Sequence, residues 1–209
     1  MTSSLYSDIT RLQKEIAKHV ITEDIFDREI SHICGVDVSY KKNIAYCSAA
    51  VIKKNTLEVI ECVKTKYAVE QPYIPGFFIL REAKPIMGIL NCLKTDFEVL
   101  LIDGHGQLHP RRCGLACHIG VIIDMPTIGV AKSLLCGNVR EDQFIELDGD
   151  ILGFRIKTKG KKPIYVSVGH KICLESATEV IKRLVKNEEW LPEPLRIADI
   201  SSKDHLNFK

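Results

Sequence analysis

The feature that constrains the fold most is the apolar run FEVLLI at residues 97–102, which leads directly into Asp103-Gly104-His105-Gly106. Five of these six residues are apolar, and such a run is typical of a strand that is buried on both faces of a sheet. Such a strand needs helices above and below the sheet, which predicts an α/β protein. Loops at the strand ends of an open α/β sheet carry ligand groups. The polar residues from Asp103 onward are therefore candidate site residues.

The rest of the chain fits this architecture. Apolar residues at helical spacing predict a helix at residues 3–20. Strand-like segments at 33–40, 44–52 and 57–67 are separated by turn-like residues, which predicts consecutive hairpins. Further helices are predicted at 77–93, 112–123 and 174–186 and from 194 onward, and further strands at 97–102, 127–130, 143–147, 151–157 and 164–168. This order indicates a mixed β-sheet flanked by helices, in one domain that spans residues 1–209.

Composition excludes several classes of protein. With 45% hydrophobic and 27% charged residues, the chain has enough apolar surface for a core and is not disordered. No apolar run reaches the roughly 18–20 residues that span a bilayer, so no membrane partner is expected. The net charge of +2 predicts no partner by itself. The one dense basic run, Lys157, Lys159, Lys161 and Lys162, either follows a phosphate backbone or is a solvated hairpin tip.

The eight cysteines contain no Cys-x-x-Cys pair and lie mostly among apolar residues. Free cysteine in such surroundings behaves as a small core residue, which favours a reducing, intracellular compartment over a disulfide framework. Cys113, Cys117 and His118 have a spacing that a zinc site could use, but small residues on the buried face of a helix are the favoured interpretation.

Two carboxylates lie in predicted strands with apolar neighbours. Asp37 lies within GVDVSY, and Asp103 ends the buried strand. A buried carboxylate is costly unless it is paired or bound to a metal, although Asp103 could also cap a turn. Two such groups on neighbouring strands would repel each other, and either a shared proton or a divalent cation such as Mg²⁺ would relieve the repulsion. Glu82, on a predicted helix, is a third candidate ligand or a surface residue.

The glycines after Asp103 suggest a phosphate site. Without side chains, Gly104 and Gly106 would let the backbone approach a bulky ligand closely. His105 and His109 could contact phosphate or help to activate water, or they could be ordinary loop residues. Carboxylates with phosphate-binding groups are typical of metal-assisted phosphoryl transfer.

Several motifs together resemble the endonuclease V family. They are GVDVSY, PYIPGFFILRE (72–82), IDGHGQLHPRRCGLACHIGV (102–121), PTIGVAKS (126–133), SVGHK (167–171) and LPEPLRIAD (191–199). The resemblance covers residues 8 to 206 approximately, and the PYIPG and DGHGxxHPRRxGxA motifs are highly specific. It implies a ribonuclease H-like fold and an endonuclease that hydrolyses the second phosphodiester bond 3′ to a deaminated adenine, with Mg²⁺ or Mn²⁺.

The resemblance also implies roles for individual residues. Asp37, Glu82 and Asp103 are similar to the carboxylates that bind the metal, and Asp199 is similar to a fourth ligand that varies between Asp and His. Lys132 is similar to the lysine beside the attacked phosphate; without the resemblance, a solvated lysine would be the favoured interpretation. The catalytic set implied is therefore Asp37, Glu82, Asp103 and Lys132.

The remaining implied residues contact the nucleic acid. Pro72, Tyr73, Ile74 and Pro75 resemble a stiff wedge that separates strands at the lesion, although Tyr73 and Ile74 could instead cover the core. The pocket for the extruded base and the phosphate contacts are assigned to nine residues: Gly76, Arg81, Gly104, His109, Gly114, Ala116, His118, Ala131 and Ser133. The small residues at 114–118 could equally pack a helix on the sheet, and His118 could be a core histidine.

The sequence thus predicts a metal-dependent endonuclease that acts on inosine-containing DNA or RNA, in repair of deaminated adenine or in inosine-RNA metabolism. The alternative is a non-catalytic nucleic-acid-binding protein on the same fold. It would need a lost metal ligand, and all of Asp37, Glu82 and Asp103 are present. A monomer is expected, located in the cytoplasm, or in the nucleus or nucleolus if the source is eukaryotic.

Overall fold

A computed structural model describes residues 2–26, 28–69, 74, 76–157, 162–186 and 189–205. The helices are α1 (Thr2–Ala17), α2 (Ile79–Leu90), α3 (Leu115–Ile123), α4 (Leu174–Leu184) and α5 (Glu193–Lys203). The strands are β1 (His32–Lys41), β2 (Ile44–Lys53), β3 (Val59–Ala68), β4 (Val99–Asp103), β5 (Thr127–Ala131), β6 (Asn138–Val139), β7 (Phe144–Leu147), β8 (Asp150–Ile156) and β9 (Ile164–His170). Among these residues, no helix is both long and apolar enough to cross a bilayer.

The strands form one mixed sheet in the order β3-β2-β1-β4-β5-β9-β8-β7-β6. The pairs β1–β4 and β4–β5 are parallel, and the remaining pairs are antiparallel. The carboxyl ends of β1, β4 and β5 therefore meet at one edge of the sheet. Residues at or just beyond these ends come close together although they are far apart in the sequence.

The central strand β4 is buried on both faces, as its apolar run predicts. Val99 and Leu101 pack in a core cluster with α4 and α5, whereas Leu100 and Ile102 pack with α2 and α3 on the other face. Each of these four side chains is fully buried, which stabilises the fold by about 1.5–3 kcal/mol per residue relative to exposure. The strand that ends in Asp103 is thus held rigidly from both sides.

The predicted mixed α/β sheet with flanking helices is confirmed, and most bounds differ by only a few residues. Helix α3 begins at Leu115 rather than at 112 because Arg112 has φ 54°, a left-handed conformation that cannot continue a helix. The two-residue strand β6 was not predicted, since so short a segment has no periodicity. All eight cysteines are free, and Cys113 and Cys117 pack against Ile16, as expected for core residues rather than zinc ligands.

Candidate active site

Three carboxylates converge at the edge where the parallel strands end. Asp37 lies on β1, Asp103 ends β4, and Asp199 reaches the same point from α5. One oxygen from each lies within 4.8 Å of the others, and they form the single group with metal-ligand geometry found among the described residues. Three carboxylates at this separation repel one another when ionised, and either a nearby cation or a retained proton relieves the repulsion.

Lys132, the first residue after β5, supplies positive charge to this group. Its Nζ lies 2.6 Å from Asp103 Oδ2, 2.7 Å from Asp199 Oδ1 and 3.9 Å from Asp37 Oδ1. Burial alone would lower the pKa of Lys132, but the charge of Asp103 and hydrogen bonds to Asp103 and Asp199 raise it above its usual value. The ammonium therefore stays charged across the neutral range.

Asp37 and Asp199 have different surroundings and different proton affinities. Burial, followed by the charge of Asp103, raises the pKa of Asp37 to about 7. Burial also works against ionisation of Asp199, but hydrogen bonds from Lys132 and Lys203 lower its pKa below the usual value. Lys203 Nζ donates to Asp199 Oδ2 at 2.6 Å, so each oxygen of this carboxylate has its own lysine.

Two serines that sequence reasoning missed hold Asp37 in place. Ser202 Oγ donates to Asp37 Oδ2 at 2.6 Å, and Ser39 Oγ donates to the Ser202 carbonyl oxygen at 2.5 Å. Ser202 is fully buried on α5, three residues after Asp199. That spacing places both side chains on one face of a helix. It is the one signal in the sequence that could have pointed to Ser202 once Asp199 was suspected.

Asp37, Asp103 and Asp199 are called the acidic group below. Glu82 approaches this group from α2, on the other face of the sheet. It lines a cavity of about 110 Å³ together with Asp37 and Asp103. Burial, followed by the charge of Asp103, raises its pKa to about 8, although Tyr40 OH donates to its Oε1 at 3.2 Å. Tyr40, another residue missed from the sequence, lies under Arg81, whose guanidinium carbon is 3.7 Å from the ring centroid.

A second cavity of about 110 Å³ lies beside the first, and Phe78 lines both. Four of the nine predicted contact residues line this cavity: Gly76, His109, Gly114 and Ser133. Gln13 of α1, His105 and Leu115 also line it, and Gln13 was not predicted. The acidic group and an apolar-walled cavity are therefore neighbours.

Three hydrogen-bond donors fix the backbone at Gly76, which lines this second cavity. Its carbonyl oxygen accepts hydrogen bonds from Gln13 Nε2 at 3.2 Å, His109 Nε2 at 3.2 Å and Arg111 Nη2 at 2.6 Å. Burial, followed by the charge of Arg111, lowers the pKa of His109 to about 4, so this imidazole is neutral at pH 7. Arg111 also donates to Gln13 Oε1 at 2.6 Å, which joins α1 to the loop after β4.

The other five predicted contact residues lie outside the cavity lining. Ala116 packs in the core, Ala131 ends β5, and His118 is buried on α3. Gly104 is buried after β4, and Arg81 stacks on Tyr40 as described. Burial lowers the pKa of His118 to about 4, as expected for a neutral core histidine.

The two glycines after Asp103 are explained differently by the packing. A side chain at Gly106 would overlap the Val168 carbonyl of β9, so this glycine is required by the approach of two backbone segments and not by a phosphate. At Gly104 the nearest neighbour of an added Cβ would be Leu115, at an ordinary 3.6 Å. The internal packing therefore does not explain why residue 104 is a glycine.

Two predicted nucleic-acid segments fall largely outside the described residues. Of the predicted wedge, Pro72, Tyr73 and Pro75 are outside them, and Ile74 is half-buried. Of the predicted basic run, Lys159 and Lys161 are outside them, whereas Lys157 and Lys162 are exposed.

Comparisons with known proteins agree with this geometry. The family model for endonuclease V matches residues 14–200. Endonuclease V of Thermofilum pendens is 40% identical over 195 residues, covering 91% of this chain and 84% of that protein. Ciona intestinalis endonuclease V, solved with a 24mer DNA that contains an inosine followed by a ribo-adenosine, has a TM-score of 0.86 at 28% identity and covers 97% and 98% of the two chains.

The catalytic domain of human endonuclease V superposes with a TM-score of 0.85 at 30% identity, covering 98% of this chain and 96% of that one. The match therefore extends over the strands and helices that carry the acidic group and not over a single motif. The mixed sheet with its flanking helices is the ribonuclease H-like fold predicted from the motifs. The chain belongs to the endonuclease V family of nucleases.

Proposed function

We propose that this protein is a monomeric, single-domain, metal-dependent endonuclease that nicks DNA or RNA at the second phosphodiester bond 3′ to (deoxy)inosine. One observation carries the proposal: Asp37, Asp103 and Asp199 meet around Lys132 at the edge of the sheet, next to a cavity of about 110 Å³. Membership in the endonuclease V family and the inosine-containing DNA bound by the Ciona protein support the substrate.

The residues at the sheet edge fit a divalent metal ion. Three carboxylates with ligand oxygens within 4.8 Å of one another form an all-oxygen donor set, which Mg²⁺ prefers and Mn²⁺ accepts. Asp37, Asp103 and Asp199 would hold the ion, and Glu82 faces the same cavity from α2. A bound ion would supply neutralisation of the negative charge that builds up on phosphodiester oxygens during hydrolysis.

The protein's own side chains have separate roles in this scheme. Lys132 carries a positive charge that would stabilise a phosphate oxygen. Asp199 orients this ammonium, because its Oδ1 lies 2.7 Å from Lys132 Nζ. Burial, followed by the charge of Asp103, raises the pKa of Glu82 to about 8, so its carboxyl holds a proton at neutral pH. Ser202 fixes the outer oxygen of Asp37, which leaves Oδ1 facing the centre of the group.

The second cavity is the proposed site of the extruded base. Hypoxanthine lacks an exocyclic amine, so a pocket with fixed walls can accept it and exclude bases with additional groups. The three hydrogen bonds to the Gly76 carbonyl and the packing of Gly114 make the walls rigid. Because Phe78 lines both cavities, a base in one would place its neighbouring phosphates near the other.

A nicking assay with end-labelled oligonucleotides tests the proposal. Matched DNA and RNA strands, with one inosine or none, are incubated with the protein and Mg²⁺, Mn²⁺ or EDTA. We expect metal-dependent cuts one nucleotide beyond inosine, and the ratio of DNA to RNA cleavage measures the preference. If neither metal supports an inosine-dependent cut, the nuclease proposal is wrong for this chain, and binding without cleavage would identify the non-catalytic alternative.

A further inference from the structure

The hairpin between β1 and β2 extends beyond the acidic group on the same side of the sheet. Side chains of a strand alternate between its faces, so Asp37, Ser39 and Lys41 share one face of β1. The contacts of Asp37 and Ser39 with Ser202 identify this as the face covered by α5. Lys41 lies four residues beyond Asp37, about 13 Å farther along the strand, and Lys42 follows in the turn.

Strand register brings a second lysine to the face covered by α5, in addition to Lys41. Ser39 pairs with Tyr46 of β2, and Tyr46 pairs with Lys66 of β3. Directly opposed residues of antiparallel strands point to the same face. Lys66 therefore lies on the α5 face, in the row next to Asp37. Tyr46, between Ser39 and Lys66, contacts His205, with ring centroids 4.3 Å apart and the two rings tilted by 50°.

These three lysines, Lys41, Lys42 and Lys66, are called the lysine strip below. All three are exposed. No hydrogen bond or ion pair engages their ammonium groups in the part of the chain that the structure describes. Nearby Lys64 differs, because it is paired with Asp204 at 3.1 Å. Unpaired cations beside a group of carboxylates are suited to a polyanion, which the carboxylates alone would repel.

We infer that the lysine strip binds phosphates of the nucleic acid that flank the cleaved bond. The inference rests on the proposed nuclease function, and it adds a binding surface outside the acidic group and the base cavity. The lysines neutralise the backbone without reading bases, so they contribute equally to damaged and undamaged strands. The Tyr46–His205 ring pair lies in the same row and offers an aromatic surface beside the phosphates.

The chain contains its own matched control. Lys41-Lys42-Asn43 and Lys53-Lys54-Asn55 have the same sequence and occupy the turns at opposite ends of β2. Lys53 pairs with His32 at the start of β1, so the second turn lies at the opposite edge of the sheet from the one where β1, β4 and β5 end. Lys53 is also paired with Glu58 at 2.8 Å. Removing either pair of lysines changes the net charge of the protein by the same amount.

The test measures binding in EDTA, where no cleavage occurs. Fluorescence anisotropy gives the Kd of an inosine-containing duplex and of its undamaged counterpart at several salt concentrations, for wild type, K41Q/K42Q, K41Q/K42Q/K66Q and K53Q/K54Q. For the triple variant we expect weaker binding to both duplexes by a similar factor. We also expect a slope of log Kd against log salt that is shallower by about 2.7, because each of the three lost phosphate contacts contributes about 0.9. K53Q/K54Q should match wild type.

The inference is wrong if the triple variant keeps the wild-type slope, or if K53Q/K54Q loses as much affinity as K41Q/K42Q. Circular dichroism and thermal denaturation confirm folding, and the single charge reversal K42E provides a second variant if the triple variant is unstable. A nicking assay on the wild-type protein distinguishes failure of the lysine-strip inference from failure of the proposed nuclease function. Inosine-dependent nicking with an unchanged slope rejects the lysine strip alone, whereas a changed slope without any nicking supports the strip and rejects the nuclease.

Discussion

At the residue scale, the charge around Lys132 decides what the site can bind. Removing the carboxylate of Asp103 or Asp37 takes away a proposed metal ligand and a partner of Lys132. We predict that Asp37→Ala and Asp103→Ala each lower the cleavage rate at least 100-fold, because charge neutralisation at the phosphate is lost. Single-turnover nicking and circular dichroism measure this loss and the fold together. Wild-type-like turnover by either folded variant would contradict the metal-site assignment.

Lys132 also competes with a metal ion for the same carboxylates. Its ammonium lies within 3.9 Å of all three, so a divalent ion that binds there meets its repulsion. We predict that Lys132→Met binds Mn²⁺ about 10-fold more tightly than wild type, measured by calorimetry. Lys203→Met is the control, because this lysine pairs with the outer oxygen of Asp199. Equal affinities of the Lys132 variant and wild type would disprove the competition.

At the element scale, the close approach of α5 to β1 places Asp199 and Ser202 at the site. Gly35 permits this approach, because an added Cβ would overlap the backbone of Pro194 and Leu195. We predict that Gly35→Ala displaces α5, destabilises the protein by about 1–3 kcal/mol and lowers cleavage more than its stability loss explains. Urea unfolding and nicking at a temperature where the variant is folded measure the two effects.

Gly149→Ala is the control for that variant. Gly149 has φ 89° and no neighbour within 4 Å, so alanine there costs about 1–2 kcal/mol of backbone strain without touching α5. It should lose stability and keep its cleavage rate. If Gly35→Ala and Gly149→Ala cleave equally well, the position of α5 does not limit the reaction.

At the scale of the whole molecule, Glu193 links global stability to pH. Its carboxylate is buried at the start of α5, 2.7 Å from both Lys186 Nζ and Arg196 Nε. Hydrogen bonds from Arg196, and then from Lys186, lower its pKa from 4.5 to about 2. A lowered pKa means that the unfolded chain binds this proton more readily than the folded protein does. The stabilisation is therefore complete above about pH 4.5 and is lost as the pH falls toward 2.

We predict that Glu193→Gln is about 2–3 kcal/mol less stable than wild type at pH 7, and that the difference shrinks as the pH approaches 2. Urea unfolding at a series of pH values measures it. Glu179→Gln is the matched control, because Glu179 is 72% exposed and its pair with Arg183 is worth little. A constant difference between wild type and Glu193→Gln across this pH range would show that the carboxylate is not the cause.

Local patterns in the sequence were sufficient to predict the helices and strands and some of the site residues. The run that ends at Asp103 predicted a strand buried on both faces, because burial on two sides leaves no position for a polar side chain. Hydrophobic spacing likewise predicted the consecutive hairpins. Asp37 and Asp103 stood out because a carboxylate among apolar strand residues is costly without a partner. Glu82 was a third candidate on its predicted helix, and the motif resemblance supported it and added Lys132 and Asp199, which no periodicity would have selected.

Contacts between distant segments were decided only by the tertiary structure. Ser202 lies 165 residues from the Asp37 oxygen to which it donates, and Gln13 lies 63 residues from the Gly76 carbonyl. The sequence predicts a phosphate-binding role for Gly106, but the tertiary structure places β9 so close to it that a side chain would overlap the Val168 carbonyl. Hydrogen bonds and close approaches of this kind depend on which surfaces meet when helices pack on a sheet. A local sequence pattern records which face of an element is apolar, but not which partner covers it.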